Sequence, residues 1–237
     1  MLNHIKIVLV QPSHPGNIGA VARVMKNMGL NKLCLIDPKC FPHEESWRLA
    51  GRASDILDSA MCYPSLEDAL ISTQLIIGTS ARDRSLDWPI LDASEAAHKC
   101  VYESLVETAF IFGPERTGLI NKDLQQCHFH LLIPTHPSYP SLNLASAVQI
   151  VCYELYRHYN QLNQNCPSLV TNTTTNAELN GFYQHLQEIL VATNFLDPNQ
   201  PKQLMPKLQR LFNKAQLTSE EVNILRGFLS SIKNKIR

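Results

Sequence analysis

Three short stretches of this sequence hold side chains suited to chemistry: Asn17 to Arg23, Gly113 to Leu119, and Ser141 to Asn143. None pairs a nucleophile with a base. Arg23 is a fixed cation about a turn and a half beyond Asn17, Glu115 is a carboxylate just past Gly113-Pro114, and Ser141 and Asn143 flank Leu142. Together they suit the gripping of a polar or anionic ligand and the stabilisation of charge developing on an oxygen. Each also has a purely structural reading. Asn17, Ser141 and Asn143 are good helix caps, Glu115 suits a helix start, and Gly16 and Gly19 would let the backbone turn tightly.

Other chemistries lack their signatures. HPGNIG departs from the dinucleotide-binding GxGxxG pattern, with His14 at its first position, and neither GxxxxGK[ST] nor GxSxG occurs. Cys127-His128-Phe129-His130 has no partner pair to complete a metal site, so none is expected. The seven cysteines are odd in number and lack CxxC spacing, as in a reduced protein without a disulfide framework.

The clusters must be positioned by the elements around them. Apolar runs predict strands at Ile5 to Gln11, Leu33 to Ile36, Ala60 to Tyr63, Leu75 to Gly78, Ala109 to Phe112 and Leu131 to Ile133. Helical spacing predicts helices from the His14-Pro15-Gly16-Asn17 turn to about Met28, closed by Gly29, and over Ser46 to Leu57. Further helices are expected after Ser65, within Asp92 to Leu105, and from Leu144 onwards. Alternating strands and helices imply an α/β fold with a parallel sheet covered on both faces. All three clusters then follow strands, at the carboxyl edge where such sheets bind ligands.

Residues 158 to 177 contain no Asp, Glu, Lys or Arg and are rich in Asn, Gln and Thr, which marks a linker. The expected organisation is a body over 1–160, a polar linker over 161–176 and a helical extension over 177–237. In the extension, helical periodicity follows Leu179, Phe182, Tyr183 and Leu186, a helix is expected at Leu204 to Phe212, and Thr218 with Glu221 caps the last helix. These helices are too few to bury much alone and should dock on the body or on a second subunit.

The formal net charge is zero, yet residues 202 to 237 hold eight Lys or Arg against two Glu, leaving the remainder at −6. A basic tail suggests an anionic partner such as RNA; its bland alternative is a solvated helical face. No apolar run approaches the length of a membrane span. The N-terminal stretch is unlike a signal peptide, so a soluble, cytoplasmic protein without a membrane partner is expected.

Asn17-Ile18-Gly19-Ala20-Val21-Ala22-Arg23, Ile111-Phe112-Gly113-Pro114-Glu115-Arg116-Thr117-Gly118-Leu119 and Ser141-Leu142-Asn143-Leu144-Ala145-Ser146-Ala147 occur in that order at the ends of predicted elements. Together they resemble the three motifs of the SpoU branch of the SPOUT RNA methyltransferases, over about residues 5 to 157. The longer stretches HPGNIGAVARVMKNMG and TSARDR are similar to the tRNA 2′-O-methyltransferases of that branch.

The resemblance implies a parallel-sheet SPOUT fold with a C-terminal trefoil knot, a homodimer, and S-adenosylmethionine (SAM) as methyl donor. Thr79, Ser80, Ala81, Gly113, Ile133, Ser141 and Leu142 would then bind SAM, and Arg23, Asn17, Glu115, Ser141 and Asn143 would surround the ribose. Arg82 and Arg84 would contact tRNA with the basic helices. The implied reaction is 2′-O-methylation of cytidine or uridine at position 32, in the anticodon loop. Arg23 could be a base or a stabiliser of the developing alkoxide. Another tRNA or rRNA ribose as target, or a non-catalytic SAM- and RNA-binding module, are the alternatives.

Overall fold

In the computed structural model, residues 2–80, 88–103, 106–165, 174–198, 200 and 202–236 are described, without the side chains of 163–165. The expected site residues Ala81, Arg82 and Arg84 lie outside them, as does half of the expected linker.

Seven parallel strands form one sheet: β1 (Ile5–Val10), β2 (Lys32–Ile36), β3 (Met61–Tyr63), β4 (Leu75–Thr79), β5 (Ile90–Leu91), β6 (Thr108–Phe112) and β7 (Phe129–Leu131), in the order β3-β2-β1-β6-β4-β7-β5. The central strands are largely apolar because both faces are covered; Lys6 of β1, buried among them, donates to the Ala69 carbonyl at 2.6 Å. Along β1, Ile7 and Leu9 enter one core, and Val8 and Val10 the other. The first core receives α1 (Pro15–Asn27), α2 (Glu44–Ala50), α3 (Ser54–Asp58), α5 (Ala93–His98) and the long α7 (Leu144–Asn165). The second receives the short α4 (Leu66–Leu70) and α6 (Asn121–Leu124).

Local chemistry sets several boundaries. Gly29 adopts φ 72° after α1, and the Leu30 amide donates to the Met25 carbonyl at 2.9 Å, so the helix closes where expected. The single helix expected over Ser46 to Leu57 is instead broken at Gly51, whose φ of 55° leaves the helical region. The break returns α3 towards α2, and the Trp47 indole N–H donates to Asp58 at 2.8 Å. α5 continues into a π-helical turn over Lys99–Glu103. The last strand of the body is Phe129–Leu131 rather than Leu131 to Ile133, because its pairing with β4 matches Ile77 with Phe129 and Thr79 with Leu131. Ile133 is thereby released into the loop.

α7 runs to Asn165, past the expected end of the body at residue 160. Beyond it, α8 (Asn176–Ala192), α9 (Leu204–Ala215) and α10 (Ser219–Ile236) share their own apolar cluster around Leu179, Phe182, Leu186, Val222 and Leu229. Phe182 meets Phe212 edge-on at 4.9 Å. Thr218 and Glu221 form the expected capping box. The Asn176 amide donates to the Thr73 carbonyl at 2.7 Å, which ties these helices to the body just before β4. Among the described residues, no helix is long and apolar enough to cross a membrane.

Candidate active site

The ends of β4, β6 and β7 meet around one cavity. Thr79 closes β4 by donating from Oγ1 to the Ile111 carbonyl of β6 at 3.0 Å, and the Ser80 amide donates to the Leu131 carbonyl of β7 at 3.0 Å. The walls include Thr79, Ser80, Gly113, Ile133, Ser141 and Leu142, so every expected cofactor residue that lies among the described residues lines it. Leu131, Leu144 and Ala147 add apolar surface, and the turn from Glu115 to Gly118 forms a further side. Gly113 is required there: a Cβ would lie 2.2 Å from the Leu119 amide nitrogen, so only glycine lets the returning chain pass so close.

Glu115 occupies the turn after β6 and does not begin a helix, contrary to the expectation from sequence. The next helix, α6, starts only at Asn121, and Gly118 (φ 64°) closes the turn by donating to the Pro114 carbonyl at 2.8 Å. The carboxylate faces the start of α1. Its Oε2 accepts from the Ser13 amide at 3.1 Å and the Ser13 hydroxyl at 2.8 Å; its Oε1 accepts from the His14 amide at 3.3 Å and Asn17 Nδ2 at 2.9 Å. Burial pushes the Glu115 carboxyl up, but the bonds from Asn17, its own backbone and Ser13 outweigh that and hold it at about 2.

Asn17 is not the cap of α1. Pro15 takes the first helical position, so His14 is the flanking residue and Asn17 lies inside the first turn. Since an ionised carboxylate can only accept, Asn17 presents its NH2 to Glu115 and leaves Oδ1 free to accept from Asn143 Nδ2 at 3.3 Å. Asn143 in turn accepts from the Ala145 amide at 2.9 Å and caps α7, as expected. Gly19 is a packing residue rather than a turn residue, because a Cβ there would meet the Ser46 carbonyl oxygen of α2 at 2.1 Å.

Arg23 lies exposed on α1, and among the described residues no hydrogen bond or ion pair engages it. Asn17, Glu115, Ser141 and Asn143 are thus gathered at one edge, and Arg23 is bonded to none of them. Sequence reasoning missed Ser13, His14 and Arg116; the first two donate to Glu115 and the third lines the cavity. Ser13 lies one position before the flanking residue His14, and its hydroxyl donates to Glu115 at 2.8 Å. Its partner is 102 positions away, where no local pattern could reveal it. His128 is structural: its ring accepts from the Ile76 amide at 2.9 Å, and burial lowers its pKa to about 4.

A parallel sheet with a cavity at its carboxyl edge, walled by loops and a helix start, defines an α/β protein with its cavity where such sheets bind ligands. The chain belongs to the SpoU rRNA Methylase family, whose model matches residues 4–153, and residues 177–237 match the model of the tRNA methyltransferase TrmJ, C-terminal domain. It is similar to the tRNA (cytidine/uridine/adenosine-2′-O-)-methyltransferase TrmJ of Pseudomonas aeruginosa, at 43% identity over 100% of this chain and 96% of that protein. The tRNA (cytidine/uridine-2′-O-)-methyltransferase TrmJ of Escherichia coli is 45% identical over 99% of this chain and 97% of that protein. Among solved structures, TrmJ from Z. mobilis superposes with a TM-score of 0.84 at 29% identity, covering 96% of this chain and 98% of that one.

Proposed function

We propose that this chain is a SAM-dependent tRNA 2′-O-methyltransferase acting on the ribose of a cytidine or uridine in the anticodon loop, at position 32. The observation that carries the reading is the hydrogen-bonded chain Glu115–Asn17–Asn143, which joins one residue from each of the three motif stretches and meets the cavity at Glu115. Likeness to the two TrmJ proteins along nearly the whole chain supports both the reaction and the substrate class.

The cavity suits the cofactor. Ile133, Leu142 and Leu144 offer apolar contact for a planar base, and the close return of the chain at Gly113 leaves backbone groups at the wall. Thr79, Ser80, Gly113, Ile133, Ser141 and Leu142 would hold it, with Ala81 completing the set. When bound, SAM supplies a methyl group made transferable by the positive sulfonium. The chain's task is to align the ribose oxygen and to favour its developing negative charge. With four donors already on its two oxygens, Glu115 is a fixed acceptor rather than a proton carrier. Arg23 is assigned the electrostatic role, since a guanidinium does not deprotonate in proteins.

The same reading includes a trefoil knot and a homodimer. β7 lies between β4 and β5, which are consecutive in sequence, and this strand order supports the knot. On α7, Tyr153 and Tyr156 are 50% and 39% exposed, and a second copy packed on that face would cover them. The helices after residue 177 form a basic module in which Lys207, Lys214, Arg226 and Lys235 are exposed for RNA; Arg82 and Arg84, which lie outside the described residues, are assigned to the same partner on the resemblance alone. A cytoplasmic location accords with a tRNA substrate. The test is nucleoside mass spectrometry of unmodified tRNA incubated with the protein and SAM. Appearance of a 2′-O-methylated pyrimidine at position 32 is expected, and unmodified tRNA at every position would reject the reading.

A further inference from the structure

Half of the hydrogen bonds that hold Glu115 come from one residue outside the three motif stretches. Ser13 supplies two of its four hydrogen bonds, one from the amide and one from the hydroxyl, both to Oε2; Asn17 and the His14 amide share Oε1. The orientations downstream are then forced. An acceptor-only carboxylate fixes the Asn17 amide with NH2 towards Glu115, Asn17 Oδ1 fixes the Asn143 amide with NH2 towards Asn17, and Asn143 Oδ1 takes the Ala145 amide at the start of α7. An anion at one end and an unpaired helix N–H at the other leave a single arrangement for both asparagines.

We propose that Ser13 is a positioning residue for methyl transfer: its hydroxyl and amide anchor the Glu115 carboxylate, and that anchored anion sets the Asn17 and Asn143 amides. This rests on the proposed transferase activity, and it adds a residue that supports the reacting groups without touching either substrate. Ser13 is half-buried, and its hydroxyl is directed to Glu115 Oε2 at 2.8 Å rather than to the first turn of α1, which the His14 side chain does not cap either. Loss of the hydroxyl leaves Oε2 with one donor and loosens the chain of orientations. Methyl transfer should suffer, while cofactor binding through the cavity walls should not.

The experiment compares full-length wild-type protein with Ser13→Ala and Ser13→Thr. Three readings are taken: methyl transfer to unmodified tRNA, SAM affinity by calorimetry, and the Glu115 carboxyl titration by carbon NMR. Removal of one hydrogen bond to a charged group should lower kcat roughly tenfold in Ser13→Ala, with KM for SAM and SAM affinity within about twofold of wild type. Ser13→Thr should restore most of the rate, and the Glu115 midpoint should rise in Ser13→Ala alone. An unchanged midpoint in Ser13→Ala, a loss of SAM affinity equal to the loss of kcat, or a threonine variant as impaired as alanine would each overturn the proposal. If wild-type protein methylates no tRNA while the midpoint still rises in Ser13→Ala, the proposed reaction falls and the anchoring of Glu115 stands.

Discussion

Asn17 and Asn143 lie 126 positions apart, and their side-chain amides meet at 3.3 Å. That contact joins the first turn of α1 to the cap of α7, so the groups assigned to the ribose are set by the packing of two helices. Asn17→Ala removes both this contact and a donor to Glu115. We expect a fall in kcat of roughly 10- to 100-fold with SAM affinity retained, measured by methyl transfer and calorimetry. Equal losses in both would assign Asn17 to the cofactor instead.

Glu115 gives a pH prediction. Its folded pKa is about 2, below the ordinary 4.5, so the carboxylate favours the folded state above pH 4.5. That contribution declines as pH falls from 4.5 towards 2. In Glu115→Gln this part of the acid dependence should vanish, so the gap in melting temperature between variant and wild type narrows across that window. A gap of constant size would show that the carboxylate is not specially stabilised by folding.

For Arg23, the expectation is separation of chemistry from binding. Arg23→Ala should abolish transfer while leaving SAM affinity nearly intact, because the side chain lies outside the cavity walls. Loss of SAM binding in calorimetry would overturn the assignment.

Gly19→Ala tests the packing of α1 on α2. The added Cβ would lie 2.1 Å from the Ser46 carbonyl oxygen, so the helices must separate. Overpacking of this kind costs about 1 to 3 kcal/mol in denaturant unfolding. Activity should fall as well, since α1 carries Asn17. A variant as stable as wild type would contradict this geometry.

On the basic module, replacement of Lys207, Lys214 and Lys235 by glutamine should weaken tRNA binding and flatten its salt dependence, with SAM affinity unchanged. Binding that keeps its salt slope would move the RNA contact to another surface.

Much of the body was legible because its strands are buried on both faces: Ile76, Ile77 and Phe110 are fully covered, and such strands appear as unbroken apolar runs. β5 escaped notice because it is two residues long and Ile90 is 53% exposed. The cavity residues came from resemblance, since Ile133 and Leu142 carry no chemical signature of their own. Asn17 and Glu115 were read locally as helix-start residues, and both instead make contacts between distant parts of the chain. Ser13 was missed for the same reason: the value of its hydroxyl depends on a partner brought near only by the pairing of β1 with β6.

The position of β7 has a consequence for synthesis. β4 is completed at Thr79 and β5 at Leu91, but the strand that pairs with both ends at Leu131. A chain emerging from the ribosome therefore exposes two unpaired strand edges, with the apolar residues of β4 beside one of them, until the chain beyond Leu131 is free. The cavity and the start of α7 can form only after that strand has been inserted, so a truncated or stalled product would lack the cavity while already holding most of the sheet.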